Sequence, residues 1–156
     1  ISNLPQEKIF DFIYFHAKWR QMTTLHWATV NAHISVVKLF TDEIGDRIPK
    51  TAAEFGKTEH NTFNLAALRG NLDVYKLISS THGNEINPPN PLSQWFMNET
   101  PLHAAARSPI SFEVCKFIVQ NVTDKYPKDN HGATPLDRAK EFDNLVVIEL
   151  FKSYPE

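Results

Sequence analysis

The chain has 156 residues, of which 42% are hydrophobic and 22% are charged, and its formal net charge is −2. This length and composition suffice for one continuous core, and no apolar run approaches the roughly 20 residues that a bilayer-spanning helix needs, so membrane insertion is not expected. Lys and Arg are scattered along the chain, which gives no indication of an electrostatic surface for nucleic acid.

The first segment, residues 1–22, is dense in large apolar side chains. It opens on Ile1 without an initiator methionine, and the stretch from Pro5 to Lys18 contains several Phe, Ile and Tyr residues. Because repeat arrays need end caps, we predict that this segment is a capping helix or a degraded repeat. We also expect the chain to be part of a longer protein.

From residue 23 onward, one eighteen-residue pattern recurs. Its copies start at Thr23, Asn61, Thr100 and Thr134, and the last copy is abbreviated. The starts are 38, 39 and 34 residues apart, close to the roughly 33-residue helix-pair unit of known solenoids. The pattern predicts a single domain over residues 1–156, in which the repeats occupy residues 23–60, 61–99, 100–133 and 134–156.

Each copy has the residues expected of two short helices in succession. Thr100 is a suitable N-cap and Pro101 a suitable first helical residue, because proline lacks the amide that would be unpaired there. The small side chains of Ala105 and Ala106 allow a neighbouring helix to approach closely. A second apolar stretch follows each first helix, and Gly70 matches a left-handed helix terminus. The unit is predicted to be a pair of antiparallel helices.

These residues resemble the ankyrin repeat, whose pattern is Thr-Pro-Leu-His-x-Ala-Ala-x-x-Gly-His followed by Val-Val and Leu-Leu. The third copy, which reads TPLHAAAR, carries the resemblance best, and the match covers most of the chain. Departures include Ala32 in place of the glycine, four replaced residues at 61–64, and one extra residue around Ser108 and Pro109. The resemblance implies an all-α solenoid of about four stacked helix pairs with projecting turns.

The resemblance also implies where a partner binds, which is the concave side formed by the first helices and the projecting turns. Transferred by register, the first-helix positions expected to contact a partner are Trp27, Leu68, Arg69, Arg107 and Arg138. Arg69 and Arg107 fall at nearly the same place in adjacent repeats, so their guanidinium groups are expected to line one strip that pairs with carboxylates on a partner.

Two inter-repeat connections, residues 41–60 and 79–99, are longer than the family requires. Insertions in repeat proteins often lie on the binding face. In the second insertion a proline-rich run precedes Trp95 and Phe96. These two rings are either a contact hot spot for a partner or a cover for the core of the chain itself.

The remaining polar residues have structural interpretations. His26 and His103 fall on the histidine position of the family, where the resemblance implies hydrogen bonds that tie adjacent turns together. No histidine pair has a metal-ligand spacing with a third ligand nearby, and the cluster of Asp42, Glu43 and Asp46 is interpreted as a solvated turn. We therefore predict no catalytic residue, no metal and no cofactor, and a chain that is not itself an enzyme.

Cys115 is the only cysteine, so no internal disulfide can form, and a reducing, cytoplasmic setting is favoured. The leading hypothesis is an intracellular protein–protein interaction module that binds a peptide or a protein surface with its concave face and long insertions. The alternative is a structural or docking domain within a larger enzyme, channel or effector protein.

Overall fold

The computed structural model describes residues 24–44, 62–81, 86–89 and 98–154. Within these ranges the chain forms eight helices in four consecutive pairs: α1 Thr24–Val30 and α2 Ile34–Ile44, α3 Thr62–Arg69 and α4 Leu72–Thr81, α5 Pro101–Ala106 and α6 Phe112–Asn121, α7 Pro135–Glu141 and α8 Leu145–Lys152. The segment 1–22, predicted to be a capping helix or a degraded repeat, and most of both long insertions lie outside the described residues.

The helices of a pair are joined by a short turn in which one residue has a left-handed backbone. That residue is Ala32 in the first pair, with a φ of 55°, Gly70 in the second, with 69°, and Asp143 in the fourth, with 51°. A left-handed residue after a helix satisfies its last carbonyl groups and lets the chain reverse. The extra residue of the third copy lies in a longer turn between α5 and α6.

Proline and a capping threonine fix where α5 and α7 begin. Thr134 lies before Pro135, its hydroxyl accepts a hydrogen bond from the Asp137 amide at 3.2 Å, and the Asp137 carboxylate accepts from the Thr134 amide at 2.9 Å. This reciprocal pairing is a capping box. Thr100 precedes Pro101 in the same way, which confirms the predicted start of α5.

The first helices pack on one another in the order α1, α3, α5, α7, and the second helices pack in the parallel order α2, α4, α6, α8. One continuous hydrophobic core runs between the two rows of helices. The small residues Ala66, Ala67, Ala105 and Ala106 are completely buried where α3 meets α5, as the close approach of the first helices requires. The predicted all-helical stack of repeats is confirmed.

The second helices show that each repeat is covered by its neighbours. Val74, Val114 and Val147 occupy one register of the pattern and are completely buried, whereas Val36, at that register in the first described repeat, is partly exposed.

The next position along the second helix is also buried in the second and third repeats, where it holds Tyr75 and Cys115. Burial raises the pKa of the Cys115 thiol far above its ordinary value, so the thiol stays protonated.

Candidate functional site

A row of side chains near the start of the first helices links each repeat to the next. In α5, the ring of His103 lies between two backbone groups. Its Nδ1 accepts from the Thr100 amide at 3.2 Å, and its Nε2 lies 3.0 Å from the carbonyl oxygen of Ala133 in the following repeat. Because an amide can only donate, Nδ1 must be unprotonated and Nε2 must carry the proton that it donates to Ala133. The predicted hydrogen bond between adjacent turns is confirmed for His103.

Burial lowers the pKa of His103, although the hydrogen bond to Ala133 opposes this shift, and the ring is therefore neutral near pH 7. In the second repeat the same register holds Asn64, whose Nδ2 donates to the carbonyl oxygen of Glu99 at 3.2 Å. Glu99 and Ala133 each directly precede the capping threonine of their repeat. The replacement of histidine by Asn64 therefore keeps the bond between repeats.

A second row of bonds joins the turns between paired helices. Ser108 and Ser111 donate from their hydroxyls to the carbonyl oxygen of Leu68 at 2.8 and 3.0 Å. One repeat later, Nδ2 of the buried Asn144 donates to the carbonyl oxygens of Ala106 and Ser108 at 2.9 and 3.0 Å. The bonds to Leu68 and Ala106 satisfy carbonyls near the C-terminal ends of α3 and α5, where a helix lacks its own amide donors.

Charged side chains of the last two repeats form a network beside the first helices. Arg107 Nη1 lies 3.2 Å from Glu99 Oε1, and these side chains are only 9% and 2% exposed. Arg138 donates from Nε and Nη2 to Asp129 Oδ2 at 3.2 and 2.5 Å, and from Nη1 to Glu141 Oε2 at 2.7 Å. The guanidinium of Arg138 is therefore held on two sides by carboxylates.

The two buried carboxylates of this network differ in their protonation. Burial raises the pKa of Glu99 to about 7, and the nearby positive charge of Arg107 offsets this only in part. Burial also opposes ionisation of Asp129, but hydrogen bonds from Arg138 and from the amides of Ala133 and His131 outweigh it and hold its pKa below the ordinary value. Asp129 is thus a fixed anion, and Glu99 titrates near neutral pH.

The residues predicted to contact a partner differ widely in exposure. Trp27 is 42% exposed, Arg69 is exposed and Leu68 is half-buried. Arg107 and Arg138 are mostly covered and are paired with carboxylates of the chain itself. Trp95 and Phe96 lie outside the described residues.

The two arginines of the predicted strip differ in register and in surroundings. Arg69 follows the first residue of its repeat by eight positions, whereas Arg107 follows Thr100 by seven. One residue step turns a helix by about 100°, so the two side chains point in different directions. Arg107 has the register of Leu68 and turns toward Glu99. This offset of one residue is visible in the sequence when positions are counted from the first residue of each repeat.

Sequence reasoning did not predict a cleft of about 570 Å³ between the chain before α5 and the chain after α6. Its walls come from irregular connections, which carry no periodic signal. The cleft is lined by Ile86, Asn87, Pro89, Asn98, Thr100, Asn121, Val122, Thr123, Asp124, Pro127 and Lys128. Amides and hydroxyls dominate its polar groups, which suits hydrogen bonding to a ligand rather than nucleophilic chemistry.

The described ranges contain no group of three or more His, Cys, Asp or Glu side chains arranged to hold a metal ion. None of the helices in these ranges is both long and apolar enough to cross a bilayer.

Comparison with known proteins agrees with the stacked helix pairs. A family model described as ankyrin repeats matches residues 63–155 in three copies, and no curated protein matches the chain. The first described pair, α1 and α2, precedes the matched residues but packs on the second pair in the same manner. Ankyrin repeats generally act as protein–protein interaction modules. The matched region exceeds half of the chain, and the chain belongs to the ankyrin-repeat family.

Proposed function

We propose that this chain is a cytoplasmic protein-interaction module that binds a peptide or a protein surface along the row of first helices. The observation that carries the proposal is that α1 and α3 each present one large side chain to solvent while most of their other residues are buried. These exposed side chains are Trp27 and Arg69. Exposed Trp and Arg side chains are typical anchors of protein interfaces.

The charge network gives this surface a rigid end. Arg138 is fixed by Asp129 and Glu141, and Arg107 is fixed by Glu99. A side chain that is already ordered loses little entropy when a partner binds, so the network is preorganised for contact. Glu141 remains more than half exposed, and it offers a carboxylate to a basic or hydrogen-bond-donating group on the partner.

Half-buried Leu68 adds apolar area next to Arg69 on α3, and Trp95 and Phe96 of the second insertion are proposed to extend the contact beyond the helices. The proposed binding needs no metal or cofactor, and no chemical step is assigned to the chain.

The proposal is tested by affinity capture from cell lysate with quantitative mass spectrometry. The wild-type domain is compared with a Trp27→Ala, Arg69→Ala variant, and Lys116→Ala on the exposed side of α6 is the matched control. We expect a protein that is enriched by the wild type and by the control, and at least about tenfold less by the double variant. Thermal unfolding should be nearly unchanged in both variants.

A Trp95→Ala, Phe96→Ala variant tests the insertion separately in the same experiment. Loss of the captured protein with this variant alone would assign the contact to the insertion and not to the first helices. Equal capture by all variants, or no specific capture by any, would contradict the proposed surface and favour a structural or docking role within a larger protein.

A further inference from the structure

The turns between paired helices lie side by side along one edge of the stack, which we call the turn edge: residues 31–33, 70–71, 107–111 and 142–144. The second and third turns touch, since a Cβ atom added to Gly70 would lie 2.2 Å from the carbonyl oxygen of Ile110. The third and fourth turns are joined by the bonds from Asn144 to Ala106 and Ser108. Side chains that leave neighbouring turns are therefore close in space.

The last repeat places apolar residues on this edge where the earlier repeats have polar ones. Eight positions into the pattern the first three copies have Asn31, Arg69 and Ser108, and the fourth has Phe142. At the register of Val146, the other copies have Ser35, Asp73 and Glu113, allowing for the extra residue of the third copy.

The extra residue of the third copy contributes to the same surface, because the longer turn holds Ile110. Ile110, Phe142, Leu145 and Val146 are each between 53% and 73% exposed. Three separate departures from the repeat pattern thus add apolar side chains to one patch, which we call the apolar strip. A contiguous exposed apolar patch typically marks an association surface.

Charges at the two ends of the apolar strip have opposite signs. Arg69 lies one turn before Ile110, and Asp143 lies within the last turn, beside Phe142. Neither has an ion-pair partner among the residues that the structure describes, whereas other charges near the strip, Glu141 and Glu149, are paired within the chain. A surface with unpaired opposite charges at its two ends is complementary to itself when reversed.

We propose that the turn edge is a self-association surface on which a second copy of the chain docks in antiparallel orientation. The two-fold axis passes through the third turn, so that Ile110 of one copy packs on Ile110 of the other. The second turn of each copy then faces the fourth turn of the other, which places Arg69 beside Phe142 and Asp143 of the other copy. An interface of this kind is isologous, with the same patch used by both chains. Apart from Arg69, it leaves the row of first helices, with Trp27, free for a different partner.

Sedimentation velocity over a concentration series from about 10 µM to about 1 mM tests the proposal. The informative variant is Phe142→Ser, Val146→Ser, because serine is the residue that Ser108 and Ser35 supply at these two registers. Ile34→Ser, at the first turn and outside the apolar strip, is the matched control. We expect the wild type and the control to reach the mass of a dimer, and the double variant to associate at least about tenfold more weakly.

A charge exchange tests the antiparallel orientation. Arg69→Glu alone and Asp143→Lys alone should each weaken self-association, because like charges then face each other. An equimolar mixture of the two variants should recover it, since every charged contact in the mixed dimer is again between opposite signs. Thermal unfolding of each variant checks that the fold is retained.

A wild type that stays monomeric across the series, or a serine variant that associates as strongly as the wild type, would overturn the proposal. A mixture that associates no better than its components would overturn the antiparallel arrangement. Arg69 belongs to both proposed surfaces, so Trp27→Ala alone, which lies outside the turn edge, separates loss of partner capture from loss of self-association.

Discussion

At the scale of single residues, two buried titratable groups, Glu99 just before the third repeat and His103 within it, respond to pH in opposite directions. Glu99 favours its neutral form in the folded chain, since its pKa rises from 4.5 to about 7. Its contribution to stability is fully present below 4.5 and is lost as the pH rises through 7. His103 has a pKa below its ordinary 6.5, so its contribution is present above 6.5 and is lost as the pH falls. Over the range they share, the two effects oppose each other.

Single variants should separate these effects in urea unfolding measured from about pH 5 to about pH 8. Glu99→Gln removes the pH dependence that comes from Glu99 and leaves the one that comes from His103. In this variant the free energy of unfolding should rise with pH up to about 6.5. With His103→Asn, which retains a donor as Asn64 does, the free energy should fall between pH 4.5 and 7 by up to about 3 kcal/mol. Parallel profiles for the wild type and both variants would contradict this assignment.

At the scale of the helix pair, the left-handed turn residue decides how the second helix leaves the first. The family pattern predicts glycine here, yet only the second repeat has it, and Ala32 and Asp143 adopt the same backbone with a side chain. The difference lies in the surroundings. At Gly70 the neighbouring turn fills the space that a Cβ would need, and the sequence of one repeat cannot show how closely the next repeat approaches.

Substitutions at this register should therefore change the free energy of unfolding in opposite directions at Gly70 and at Ala32. Gly70→Ala should destabilise the fold by about 2 kcal/mol or more, because its φ is +69° and its Cβ would clash with a backbone oxygen. Ala32→Gly should be neutral or stabilise by up to about 1 kcal/mol, because it relieves a left-handed alanine. Urea midpoints of the two variants provide the comparison, and a loss for Ala32→Gly as large as for Gly70→Ala would contradict it.

At the scale of the whole molecule, stability depends on contacts between neighbouring repeats. The stacked helix pairs could be predicted from the sequence because capping residues, small alanines and apolar stripes recur at fixed positions. The charge network could not, because Glu99, Arg107 and Asp129 meet only after neighbouring repeats have stacked. The cleft beside α5 could not be predicted either, since its walls have no period. Trp95 and Phe96 lie outside the described residues, so both interpretations of them, a contact with a partner and a cover for the core, stay predictions.

Asn144 offers a test of how the last repeat is held. Its side chain makes two hydrogen bonds to the preceding repeat and is buried. Asn144→Ala removes a donor from the Ala106 carbonyl oxygen and one of two donors from that of Ser108, and it should cost about 1–3 kcal/mol. The loss should appear first as faster amide hydrogen exchange in α7 and α8, since repeat arrays can open from an end. Asn144→Ser, which can keep one bond as Ser111 does, should lose less, and uniform acceleration across all helices would contradict local opening.

Burial of the only cysteine gives the chain an internal reporter of opening. Cys115 lies in the core of the third repeat, and its thiol is held in the unreactive protonated form. A maleimide or a disulfide reagent can modify it only when the stack opens, so the rate of labelling in native buffer reports the frequency of that opening. The wild-type chain thus needs no engineered probe for such a measurement. If a cysteine is introduced on the surface, a thiol-reactive fluorophore will label that cysteine and not Cys115 while the fold is intact.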